Sequence, residues 1–130
     1  MNNLNTHKTV ILLLVIVIGL IGCSESARCK EKLKGVWVIS DAKYYNENIK
    51  GYLSINMLTF HDTYDCEIPT IYQLEESKCT WLLNATNDTL IISSSKNVLA
   101  GRYKISFYDS NKYSFVVLRS DSILFKAQKW

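Results

Sequence analysis

The chain has 130 residues, 48% of them hydrophobic and 21% charged, with fifteen Lys and Arg against twelve Asp and Glu and a net charge of +3. This near balance, with no basic cluster on any one predicted element, excludes nucleic acid as the implied partner. The length allows one modest domain and not two, and five scattered glycines form no phosphate-cradling loop.

The first residues are a leader. A polar start with His7 and Lys8 precedes an unbroken apolar stretch from Val10 to Gly22, which ends at Cys23. Thirteen apolar residues are too few to cross a bilayer core, which takes about 20. A plain secretory signal would end in an Ala-x-Ala-like site, whereas this one places a cysteine at the cleavage point. The run Leu20-Ile21-Gly22-Cys23 resembles the lipobox of bacterial lipoproteins. The resemblance implies cleavage before Cys23 and acylation of its sulfur, palmitate being a typical chain. The expected organisation is a signal peptide over 1–22, a lipidated tether over 23–33 and a β-domain over 34–130. The membrane, through Cys23, is then the first partner, and the cell envelope the location. Ser24 after the cysteine resembles the outer-membrane sorting pattern of cells with two membranes. Arg28, Lys30, Lys32 and Lys34 are interrupted by Glu31 and read as a solvated tether with a minor attraction for anionic head groups; a short turn of helix fits 27–33.

From Gly35 onward the chain reads as strands and turns. Tyr103, Ile105 and Phe107 alternate with Arg102, Lys104, Ser106 and Tyr108, the period of a half-buried strand. Comparable runs rich in Val, Ile, Tyr, Phe, Trp or Thr occur at about 36–41, 52–60, 66–74, 79–84, 89–95, 112–119 and 122–129, giving eight strands. Short turn-forming segments join them at 46–51, 61–65, 75–78, 84–88, 97–101, 109–112 and 120–122, so neighbours are antiparallel. In 52–60 the apolar phase slips from Leu53, Ile55 and Met57 to Leu58 and Phe60, which predicts a bulge near Met57. So many strands on about 100 residues must hide their edges; closure into an up-and-down barrel does this most completely, with a two-sheet sandwich as the alternative.

The opening Gly35-Val36-Trp37 resembles the Gly-x-Trp signature of lipocalins, in which tryptophan plugs the closed end of the barrel. The series that follows, Leu58-Thr59-Phe60, Cys66-Glu67-Ile68-Pro69, Trp81-Leu82-Leu83, Leu90-Ile91-Ile92, Gly101 to Phe107 and Leu118-Arg119-Ser120-Asp121, is similar to the lipocalin-like lipoproteins of Bacteroidota and covers nearly all of the domain. The chain lacks the Thr-Asp-Tyr motif of true lipocalins and is shorter than they are, which implies a small interior. By the resemblance Arg119 would stack over Trp37 as a cation-π contact, worth about 0.5 to 2 kcal/mol; the other reading is an ordinary strand-end charge.

The inventory for catalysis is thin. His61, beside Asp62 in a predicted turn, is the one histidine of the domain, so a nucleophile–base pair has a single candidate base. No enzyme is expected, nor any cofactor. His61, Asp62, Asp65 and Cys66 are close in sequence, but one imidazole and one thiol make a poor metal set. Glu75-Glu76 reads as a solvated tip, and Asn84-Ala85-Thr86 and Asn87-Asp88-Thr89 as turns.

With Cys23 acylated, three cysteines remain in an oxidising compartment, so one disulfide and one spare thiol are expected. Cys66 with Cys79 is the preferred pair and Cys29 with Cys66 the alternative. A simple hairpin closing at 75–78 would hold Cys66 about 25 Å from Cys79 at about 3.3 Å per residue, so the preferred pair requires the segment after Cys66 to fold back, which Pro69 allows.

The remaining chemistry is aromatic. Trp37, Phe60, Trp81, Tyr103, Phe107, Phe115 and Phe125 should face inward, where they either line a cavity or fill it; a barrel of this size holds its own side chains or one small ligand. The first six are the candidate ligand-lining residues. The expected function is a noncatalytic, lipid-anchored envelope domain with a small hydrophobic ligand or an envelope protein as partner. The alternative is an interaction or inhibitor module working through loops 46–51 and 61–65.

Overall fold

Alternation of side chains sets the architecture. In β7 (Gly101–Ser110), Tyr103 and Ile105 are buried while Arg102, Lys104 and Ser106 are exposed, and the other long strands repeat the pattern. The computed structural model describes residues 28–84 and 88–130. The signal segment 1–22, Cys23 and the turn positions 85–87 lie outside the described residues. Two compact units divide the chain, 1–32 and 33–130. Residues 28–33 are helical, and the second unit carries all the strands described below.

These strands are β1 (Gly35–Tyr44), β2 (Glu47–Asn48), β3 (Met57–Phe60), β4 (Asp65–Glu67), β5 (Lys78–Leu83), β6 (Thr89–Ser93), β7, β8 (Tyr113–Arg119) and β9 (Ile123–Lys129). Sequential antiparallel pairing runs from β1 through β3 to β9, and β9 pairs back onto β1 from Trp37↔Lys129 to Tyr44↔Ile123. The result is a closed eight-stranded antiparallel barrel. Closure removes the free edges that an open sheet of this size would expose. The two residues of β2 lie outside the ring, pairing only with the far end of β1. They are turned back by Tyr45 and Asn46, both at positive φ (48° and 65°), the backbone that lets a two-residue hairpin follow the strand twist.

Four details differ from the sequence expectation. The phase slip in 52–60 is not a bulge at Met57: the β1–β3 register runs unbroken from Gly35↔Phe60 to Val38↔Met57, because Lys50–Tyr52 forms a 3-10 turn and the strand starts only at Met57. The irregularity lies instead in β1, between Ile39 and Asp41 against β9; it moves the buried position from Ile39 to Ala42. The expected strand 66–74 is only β4, and residues 68–77 leave the sheet. Phe115 faces outward, since Val116 and Leu118 take the inner face of β8.

The excursion at 68–77 brings Cys66 directly opposite Cys79 in the β4–β5 register. The two are disulfide-bonded with Cα atoms 4.9 Å apart. Cys29 keeps a free thiol, so the alternative bridge from Cys29 to Cys66 does not form.

Candidate functional site

The barrel has a floor, an interior, a mouth and an outer wall, each built from identifiable residues. At the floor, the chain enters through Leu33 and bends at Gly35, whose φ of +112° belongs to glycine. Trp37 is fully buried there, and its indole N–H donates to the Leu33 carbonyl at 2.8 Å. The cation over the indole is Lys129, from the cross-strand position on β9, at 4.7 Å from the ring centroid. Arg119, which the resemblance would place there, is exposed on the outer wall at the other end of β8.

The interior is packed with aromatic and branched side chains. Phe60, Tyr103 and Phe125 are buried, as is Trp81. Phe107 is half-buried with its ring centroid 6.2 Å from that of Trp37. Phe60 meets Trp81 edge-on at 5.7 Å, and Tyr103 lies 6.1 Å from Phe125, spacings at which aromatic pairs attract. Between them Leu58, Leu90, Val116 and Leu118 have no exposed surface. Of the six candidate lining residues, five converge inside. The sixth, Phe115, stacks on Tyr108 outside at 5.1 Å and 10°.

Polar atoms that go inside are matched. Tyr103 Oη donates to the Leu99 carbonyl, and burial pushes its phenol above the ordinary range. Trp81 Nε1 donates to the His61 carbonyl at 3.0 Å. Among the described residues no buried side-chain nitrogen or oxygen lacks a partner, as a dry interior requires.

The mouth is sealed by its own loops. Ile49, Ile68 and Leu99 are buried there, with Leu53 and Ile71 packed against them. Residues 49–56 join 68–77 through Ser54 N to Thr70 O and Thr70 N to Ser54 Oγ, both 2.9 Å. Residues 68–77 join 94–100 through the backbone bond from Glu76 N to Lys96 O at 3.0 Å and through the side chains of Asn97, Glu75 and Glu76. Asn97, itself buried, donates from Nδ2 to Pro69 O at 2.9 Å and Glu76 O at 3.0 Å, and accepts from Leu99 N. Glu75 accepts backbone N–H groups from Ile71 and Tyr72 in its own loop and from Val98 in the next, at 3.0, 2.8 and 2.5 Å. Partial burial raises the pKa of this carboxyl, but the three N–H donors outweigh it and hold the group below its ordinary value of 4.5. Glu75-Glu76 is therefore a latch between loops, with Glu76 pairing to Lys96 at 3.1 Å.

On the outside of this seal stand exposed apolar side chains. Leu74 is 96% exposed, Tyr52 74% and Tyr72 59%, with Tyr45 and Val98 also exposed. Alternation cannot reveal them, because they lie in irregular loops.

The remaining sequence candidates do not assemble. His61 is exposed in the turn between β3 and β4, beside an open cleft of about 450 Å³ shared with Thr63, Asp65, Glu67 and Lys78. No group of three or more His, Cys, Asp or Glu side chains able to hold a metal is present among the described residues, and Cys66 is committed to its disulfide. On the outer wall, a cleft that sequence reading missed lies beside the β8–β9 turn, flanked by Arg102 and Lys104 of β7 and Arg119 of β8. Its signal was the outward phase of β7, where the basic residues alternate with the buried ones.

Fold and site together define a small closed antiparallel β-barrel with a packed interior and a looped-over mouth. No family model matches the chain, and comparison with curated proteins and with solved structures gives no match either.

Proposed function

We propose that the chain is a lipid-anchored, noncatalytic β-barrel of the bacterial cell envelope, lipocalin-like in its plan, which engages a protein partner through its mouth loops. The observation that carries this reading is the seal: loops 49–56, 68–77 and 94–100 are stitched into one surface that shuts the barrel and displays Tyr52, Tyr72, Leu74 and Val98. A patch of exposed aromatic and aliphatic side chains held on a rigid base is what a protein interface uses as anchors. The Cys66–Cys79 disulfide supports an oxidising compartment.

Carriage of a small hydrophobic ligand is the second reading. It is favoured by five aromatic side chains, Trp37, Phe60, Trp81, Tyr103 and Phe107, meeting in one interior, and it requires the Glu75 and Asn97 bonds to open.

The anchor is tested by metabolic labelling with palmitate. Wild type should be labelled and membrane-bound, since acyl chains at about 0.8 kcal/mol per buried methylene exceed anything a few lysines add. Cys23→Ser should be neither processed at this site nor labelled; a labelled, membrane-bound Cys23→Ser protein would end the lipobox reading. The surface is tested with Leu74→Asp and Tyr72→Asp, which should leave the unfolding temperature unchanged and abolish co-purification of the partner with the anchored protein. Retention of that partner by both variants would contradict the interaction reading.

A further inference from the structure

We propose that the outer wall beside the β8–β9 turn binds a phosphate group. The groove there has a volume of about 640 Å³ and is open to solvent along the wall. Arg102 and Lys104 lie two residues apart on β7, so both side chains stand on its outer face, and both are exposed. Arg119 ends β8 and sits directly across from Lys104 in the strand register.

Like charges directly opposite on neighbouring strands repel, and among the described residues no ion pair offsets them. Among the described residues, none of Arg102, Lys104 and Arg119 has a carboxylate within 4.0 Å. Asp121 is the one acid among the described residues that line the groove. The charge is local, because residues 33–130 carry eleven basic against ten acidic side chains. The adjoining cleft on the other side of the turn, about 260 Å³, shares Arg119 and adds Lys43.

The chemistry of these groups selects the ligand. Two guanidinium forks and one ammonium match the tetrahedral, dianionic oxygens of a phosphate, which arginine meets with paired N–H bonds and lysine as a point charge. The turn that frames them is fixed: Ser120 Oγ accepts from Ile123 N at 3.0 Å, and Ser120 N donates to Ile123 O at 2.8 Å. A held turn costs little to order on binding. The groove exceeds one phosphate, which leaves room for the group the ester carries, whether a lipid backbone or a soluble sugar.

The test uses the full chain in nonionic detergent, with thermal unfolding followed in inorganic phosphate and in chloride at matched ionic strength. Phosphate should raise the unfolding temperature saturably where chloride does not. Arg102→Gln with Arg119→Gln should weaken the phosphate effect at least about tenfold, while the phosphate-free unfolding temperature stays level or rises because the repulsion is gone. Asp121→Asn should tighten binding, and Lys112→Gln, in the turn at the other end of β7, should leave it unchanged. Should the double variant misfold, Arg119→Lys keeps the charge without the fork and should still lose part of the effect. Short-chain phosphatidic acid and glucose 6-phosphate then separate the sources: a stronger response to the first assigns a lipid headgroup, to the second a soluble ester. Equal stabilisation by phosphate and chloride, or a double variant that folds and keeps the phosphate response, overturns the site.

Discussion

The Lys129 ammonium lies 4.7 Å from the centroid of the Trp37 indole, and the same nitrogen donates to the Lys34 carbonyl. A β-carbon on Gly35 would come within 3.1 Å of it. Gly35, Trp37 and Lys129 thus form one closing device at the floor, in which the missing side chain of the first makes room for the cation that covers the second.

Lys129→Met removes the donor to the Lys34 carbonyl and should lower stability by about 1 kcal/mol, the scale of one hydrogen bond. Desolvation holds the Lys129 pKa below its ordinary 10.5, so the folded state releases this proton more readily than the unfolded state. Stability of the wild type should therefore rise with pH between the folded value and 10.5. Urea unfolding across the alkaline range checks this, and the methionine variant should lack that rise.

Gly35→Ala should cost about 1 to 3 kcal/mol, because it forces a β-carbon into a left-handed backbone and against the Lys129 side chain. Trp37→Ala should cost about 3 to 5 kcal/mol as a core truncation. Denaturant midpoints of the two variants separate the backbone contribution from the packing one.

Glu75 should make the mouth acid-sensitive. Its folded pKa lies below 4.5, so its contribution is present above the unfolded value and is lost as pH falls through the folded one. Hydrogen-exchange protection at the Ile71, Tyr72 and Val98 amides, relative to the intrinsic rate at each pH, should fall in acid before the barrel unfolds. Glu75→Gln should exchange faster at these amides already at neutral pH, and should lose about 1 to 2 kcal/mol from the weakened charge-assisted bonds.

Replacing both Cys66 and Cys79 by serine should destabilise the barrel by about 3 kcal/mol, the chain-entropy value for a loop of about this length. Loss of the bridge also frees the 68–77 excursion, so protection at Asn97 and Leu99 should fall along with the unfolding midpoint.

The barrel itself was legible because period-two burial survives from β5 to β9, and Tyr103, Ile105 and Phe107 announce it plainly. The same reasoning failed where tertiary contacts override phase. Residues 50–56 carry the apolar density of a strand, yet Leu53 packs against the core from an irregular loop. Phe115 is a strong strand former whose inward neighbours, Val116 and Leu118, took the interior and left it to stack on Tyr108. The latch was invisible for a different reason: Glu75 reaches the Val98 N–H, and Asn97 the Pro69 and Glu76 carbonyls, all distant in sequence, and a backbone partner has no sequence signature. The pairing of Trp37 with Lys129 rather than Arg119 depends on the β1–β9 register, which closure of the barrel sets.

The central claim is that the interior is filled and shut, so that the working surfaces lie outside it. It is tested most directly by titrating the full-length protein with a panel of fatty acids and small aromatic compounds while following tryptophan fluorescence. Trp37 and Trp81 are buried and report on the interior, and Trp130, 87% exposed, reports on solvent. The account predicts no saturable change from the buried pair across the panel. Saturable quenching that disappears in Tyr103→Ala, with folding of that variant intact, would contradict it and make the barrel a carrier.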